Sequence, residues 1–177
     1  MTGVIVGSFG VVASVLVVSG VTKWINPAPT ASLMGTLRLP ASSSTARLLG
    51  AAEIAAGMAA VLVGGAVLAA IVSALYLAFA AVVVIARGAG APSCGCFGSG
   101  AAPPSWLHVC VNAASAAVAA ATVVAGGTVV DLLRSQPANG VPLAILMTSG
   151  VVLVVGLDTA GAELIDQVVS LQRRPLR

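Results

Sequence analysis

Long apolar runs, without the apolar–polar alternation of barrel strands, dominate this chain. Residues 3–22, GVIVGSFGVVASVLVVSGVT, carry no charge and give way to Lys23, Trp24 and an Asn26-Pro27 break. A second run covers about 47–63, and Gly64-Gly65 turns it into a third at about 66–85, closed by Arg87. A fourth follows Pro103-Pro104 and covers about 105–125; a fifth covers about 141–157 and passes into a polar continuation and tail. About 20 apolar residues cross the hydrocarbon core of a bilayer, so the pattern predicts five transmembrane helices. Strands of a membrane barrel would alternate residue by residue. The predicted fold is all-α, a polytopic membrane helix bundle.

The first run lacks a basic n-region and a clean cleavage site, so it reads as a retained helix rather than a secretion signal. The following segment, INPAPTASLMGTLRLPASSSTA (25–46), is too polar and Pro-broken to span. A short interfacial helix is expected at 32–39, with Ser42 to Thr45 as N-cap candidates for the second span. Small residues recur on the second span (Gly50, Ala51, Ala55, Gly57, Ala59) and on the fourth (Ala113, Ala114, Ala116, Ala117). Small faces let membrane helices approach closely, which predicts a tight bundle.

Composition removes most other classes. The 177 residues are 59% hydrophobic and 7% charged, with a mean hydropathy of +1.10. A soluble domain carries about 25% charged residues, so the lipid bilayer is the expected surrounding and the chain reads as multi-pass in the plasma (inner) membrane. The net charge of +3 rests on eight scattered Lys and Arg, which make no nucleic-acid surface. No Gly-rich nucleotide loop and no Cys-x-x-Cys-His haem site occurs.

Charge also predicts sidedness. With five spans, one side holds Lys23, Arg38, Arg47, Arg87, Arg173, Arg174 and Arg177, and the other holds Arg134. The positive-inside rule then places the N-terminus outside, and the C-terminus and the 86–104 loop in the cytoplasm.

That loop carries the chemistry. Its APSCGCFGSG stretch (91–100) sets Cys94 and Cys96 one residue apart in a chain with three cysteines. Three readings compete. The cysteines can be small apolar residues at a helix end. They can hold a soft metal with Cys110 or His108, although structural sites usually pair cysteines as C-x₂₋₄-C and no second pair exists. Or they exchange a disulfide: Cα atoms within about 4.4–6.8 Å suffice, and Gly95 allows the bend that brings them there. The small ring so closed is strained and easily reduced. A solvent-side position near Arg87 favours a thiolate. Gly98 adds mobility, and Phe97 offers an apolar anchor at the membrane surface. The fourth span opens Pro-Pro-Ser-Trp, with Ser105 near its N-terminus and Trp106 at the interface.

Several motifs together resemble the MauE family of methylamine-utilisation membrane proteins, related to the DoxX-like group. They are LLGAAEIAAG (48–57), CGCFG (94–98) and SWLHVCVN (105–112), following a first helix that ends in Lys. The resemblance covers about residues 5–125. It implies a four-helix MauE/DoxX-like core at 1–127, leaving an extra transmembrane helix and basic tail at 128–177. It further implies disulfide chemistry for exported proteins with a thioredoxin-like partner. On that analogy Cys94 and Cys96 exchange, Glu53 is a buried functional carboxyl and Asn112 a structural or site residue. No family role carries to Cys110, a candidate third thiol. The analogy wants the cysteines outside the cell, where the charge count does not put them.

The remaining polar residues divide. Glu53 lies about two turns into its span, where an ionisable group is a functional-site candidate; the alternative is a carboxyl satisfied by Arg47 or Lys23. Gln at 53 is expected to fold at little cost. His108 and Asn112, four apart, share a helix face, and His108 is a candidate proton relay or quinone ligand. Cys110 lies roughly 200° round the helix from His108, so the two do not serve one small site. Asp158, Glu163 and Asp166 read as a solvated helix end. The expected function is thiol–disulfide exchange, with quinone a candidate acceptor; the alternatives are a non-catalytic membrane subunit and a soft-metal carrier.

Overall fold

A computed structural model describes residues 2–95, 103–136 and 140–161. Its elements are α1 (Thr2–Ile25), α2 (Ala28–Thr36), α3 (Ser43–Leu62), α4 (Ala66–Gly88), α5 (Trp106–Ala125), α6 (Val129–Arg134) and α7 (Val141–Gly156), which runs into a π-helical turn, Leu157–Gly161. No strand occurs among the described residues. Five of these helices are long and apolar enough to cross a membrane, the last counted to Ala160. The fold class is as the runs predict.

The ends of the helices follow local chemistry. α1 continues past Lys23 to Ile25, and stops where Asn26 precedes Pro27, a position that disfavours helical backbone. α2 starts four residues before its predicted place, with Pro in its first turn, a position where the missing N–H costs nothing. α3 starts at Ser43 because Ser42 and Thr45 cap each other: Thr45 N–H donates to Ser42 Oγ at 3.0 Å, and Ser42 N–H to Thr45 Oγ1 at 3.1 Å. Between α3 and α4, Gly64 adopts φ +68°, and a Cβ there would lie 3.0 Å from the Thr128 side chain. Only glycine serves both the left-handed turn and that approach.

α1 is the hub. It packs most extensively on α3, and also meets α5, α6 and α7, while α4 pairs with α5. The α1–α3 contact is built from glycines. A Cβ on Gly20 would sit 2.5 Å from the Gly50 carbonyl oxygen, and one on Gly50 would sit 2.6 Å from that of Gly20. A Cβ on Gly57 would likewise sit 2.7 Å from the Ala13 carbonyl oxygen. Of the small residues predicted to form the face of α3, Gly50 and Gly57 make this backbone-to-backbone contact, Ala51 and Ala59 are partly buried and Ala55 is exposed. On α5 the face is rotated from the prediction: Ala116 is buried, whereas Ala113, Ala114 and Ala117 are exposed. The packed stripe is Asn112, Ser115, Ala116, Ala119 and Thr122.

Phe9, Leu16, Val72, Tyr76 and Val129 fill the core. Tyr76 Oη donates to the Val12 carbonyl at 2.8 Å, and Ser73 Oγ to that of Ala116 at 3.0 Å, hydrogen bonds of the kind that tie membrane helices together. Valines, leucines and isoleucines remain exposed along α4 and α7, as a lipid-facing surface requires. Trp24 and Trp106 are exposed near the ends of α1 and α5, where an aromatic belt belongs. Arg87 stacks on the Trp106 ring at 4.8 Å and donates to the Pro104 carbonyl at 3.1 Å.

Candidate functional site

The buried charges gather near one end of the bundle. Lys23, taken from sequence as the polar end of the first helix, is 4% exposed, and Glu53 is fully buried. Lys23 Nζ donates to Glu53 Oε2 at 2.9 Å and to Ser19 Oγ at 2.6 Å. The same ammonium lies 5.6 Å from the Phe79 ring centroid. The glycine contact between α1 and α3 makes this possible, because Gly50 and Gly20 close the helices one turn from the pair. Of the two partners considered for Glu53, Lys23 is the one it meets; Arg47 is exposed. Glu53 Oε1 has no hydrogen-bond partner among the described residues.

A second cluster joins three elements. Cys94 is 6% exposed rather than solvent-side, and its neighbour Gly95 takes φ +65°. Thr30 Oγ1 of α2 donates to the Gly95 carbonyl at 2.8 Å, and a Cβ on Gly95 would lie 3.2 Å from Thr30 Cα. The interfacial helix thus clamps the start of the cysteine loop. Arg87, expected to favour the thiolate, is engaged with Trp106 and Pro104 instead. Cys94 lies beside His108 and shares the cavity wall with Asp158.

His108 is fully buried at the start of α5. The Ser105 N–H donates to His108 Nδ1 at 3.2 Å, and Ser105 Oγ lies 2.7 Å from the same nitrogen. A backbone N–H can only donate, so Nδ1 is an acceptor and the ring proton sits on Nε2. Nε2–H is left without a full hydrogen bond among the described residues. Its neighbours there are the Cys94 sulfur and the Asp158 backbone carbonyl. Asn112 stays on the His108 face, as its spacing predicts, and donates to the His108 carbonyl at 2.7 Å. Cys110 is exposed on the opposite side.

Asp158 is the residue that sequence reasoning misplaced. It is 6% exposed, not part of a solvated helix end, and its Oδ1 also lacks a partner among the described residues. α7 itself buries no side chain; the π-helical turn at its end swings this one carboxyl inward, a local irregularity often found at functional sites. Glu163, Asp166, Cys96, Phe97 and Gly98 lie outside the described residues. Among the described residues no three His, Cys, Asp or Glu converge as metal ligands.

Both clusters open on one cavity of about 290 Å³. Its wall is mostly apolar, including Leu16, Leu33, Leu75 and Phe79, and its polar members include Lys23, Asn112, Cys94 and Asp158. Glu53 stands behind Lys23 and His108 beside Cys94.

Buried Glu53 on α3, the cysteine loop after α4 and His108 with Asn112 on α5 form one connected arrangement. A family model, methylamine utilisation protein MauE, matches residues 1–126. The chain belongs to the MauE family. No curated protein and no solved structure matches it. The MauE segment ends with α5, so α6 and α7 lie beyond it, and Asp158 reaches the site from outside the family segment. This MauE protein is a multi-pass membrane protein related to methylamine utilisation. Chemically, its site offers a shielded thiol, an imidazole, a buried carboxyl and an apolar chamber beside them.

Proposed function

We propose that this MauE protein is a membrane thiol–disulfide redox protein, and that Cys94 and Cys96 form its exchanging pair. The observation that carries the reading is the setting of Cys94: a buried thiol beside His108, on the wall of a cavity that it shares with the buried carboxyl of Asp158. A thiolate is the nucleophile in disulfide exchange. The Nε2–H of His108 stabilises it by donation, and Asp158 accepts the proton. The ring does not shuttle that proton itself, because Nδ1 already accepts from the Ser105 backbone. Lys23–Glu53 is a structural ion pair that fixes α1 against α3 at the cavity wall. The four-helix part, 1–127, forms the redox core, and 128–177 is an added transmembrane helix and tail.

Burial assigns the two thiols different tasks. A protein dithiol cannot reach Cys94 at 6% exposure, so we assign the encounter with a thioredoxin-like partner to Cys96. Sidedness follows the basic residues: the cysteine loop and C-terminus face the cytoplasm of the inner membrane, and the partner supplies electrons there. The test is capture. Cys94→Ser accumulates a mixed disulfide between Cys96 and a partner, whereas Cys96→Ser, with its thiol shielded, accumulates little. Equal or absent capture by both variants, with normal growth of the double serine strain, returns the cysteines to a non-catalytic subunit.

A further inference from the structure

We propose that the cavity is a binding site for a quinone dissolved in the bilayer, and that Asp158 is the acceptor for the quinol hydroxyl. This deepens the thiol–disulfide reading and rests on it for the electron source. The volume, about 290 Å³, lies near the lower end of small-ligand pockets, about 300–1,000 Å³. It suits a substituted ring whose tail continues into lipid. Leu33, Leu75 and Phe79 supply the apolar faces such a ring needs. An apolar chamber alone would equally take an acyl chain. What distinguishes this one is a carboxyl, 94% buried, in its wall, with one oxygen unpartnered among the described residues. A buried polar atom without a partner is costly, and an acyl chain offers it nothing. A quinol offers an O–H.

The redox step balances with this acceptor. Cys94 loses its thiol proton to Asp158, and its sulfur forms an S–S bond with a second thiol, that of Cys96, which loses its own proton. Two electrons pass to the quinone. Two O–H bonds form on its oxygens, one with the proton that Asp158 returns and the other with a proton equivalent to the one Cys96 releases. The products are one disulfide and one quinol. Cys94 lines the cavity, so no further electron carrier is needed between sulfur and ring.

The experiment uses the full-length protein in mild detergent, with decylubiquinone and its quinol as probes. Binding is measured by equilibrium dialysis on the purified Cys94→Ser protein, which cannot close the Cys94–Cys96 disulfide and so does not turn the quinone over. Saturable binding near one per chain is expected. Ala78→Trp, which intrudes on the cavity wall, should weaken both forms by at least about tenfold. Asp158→Asn should weaken the quinol about tenfold more than the quinone, a shift in ratio that a loss of packing would not produce. Unsaturable binding, indifference to Ala78→Trp, equal displacement by a fatty acid or an unchanged ratio in Asp158→Asn would each overturn the proposal. The two readings fail separately. Partner exchange without quinone binding removes this inference alone, and quinone binding in a protein whose cysteines never exchange removes the thiol reading alone.

Discussion

Replacing Glu53 by Gln tests how α1 and α3 are held together. From sequence the change looks mild, since Gln keeps size and hydrogen bonding and removes a charge from the membrane. The structure reverses that expectation, because Lys23 is 4% exposed and donates to Glu53 Oε2 at 2.9 Å. Glu53→Gln leaves an ammonium in the bundle with a hydroxyl, a ring face and a neutral amide. Removing one partner of a buried pair costs about 3–5 kcal/mol, while replacing both by apolar or neutral groups is often close to neutral. Glu53→Gln and Lys23→Met should each destabilise by that amount, and the double variant should recover most of the loss. Purified protein in mild detergent, unfolded by heat or by increasing SDS, reports all four corners of the cycle. The predicted coupling is strongly non-additive. Wild-type stability of Glu53→Gln, or simple addition of the two losses in the double variant, would refute the ion-pair account.

Two further outcomes follow from packing and order. Gly50→Val should destabilise by about 1–3 kcal/mol through overpacking, because even a Cβ would stand 2.6 Å from the Gly20 carbonyl oxygen; Gly156→Ala, with nothing within 4 Å, is the silent control. Equal melting of the two variants would contradict the glycine contact. A reporter fused after Arg177 should read cytoplasmic, together with impermeant labelling of the cysteine loop from that side only. An external tail would overturn the charge-based orientation and place the partner outside.

The spans were legible because lipid demands continuous apolar runs, and the glycines of α3 because close approach demands small residues. The Ser42 cap and the Gly64 turn also show in sequence, each through a local requirement. What sequence left open were pairings between distant elements. Glu53 invited two basic partners, and only the glycine contact of α1 with α3 selects Lys23. Cys94 looked solvent-side beside Arg87 because nothing local reveals that α2 folds back to clamp Gly95. Asp158 was grouped with Glu163 and Asp166 as a polar helix end. Depth of about two turns into a span singles out Glu53; Asp158 stands at the close of the fifth run, where an acid reads as solvated unless the packing of that helix end is known. The short α6 leaves only a six-residue signal, led by Thr128, whose side chain accepts from the Asp131 N–H.

The central claim is that Cys94 and Cys96 change oxidation state in the working protein. Acid quenching of intact cells, alkylation with a permeant thiol reagent and mass analysis of the peptide spanning both cysteines reads this directly. The account predicts a dithiol and a Cys94–Cys96 disulfide coexisting, with the disulfide fraction rising when the partner is deleted and falling in Asp158→Asn. A pair found wholly reduced, whatever the strain or the respiratory state of the cells, would contradict it.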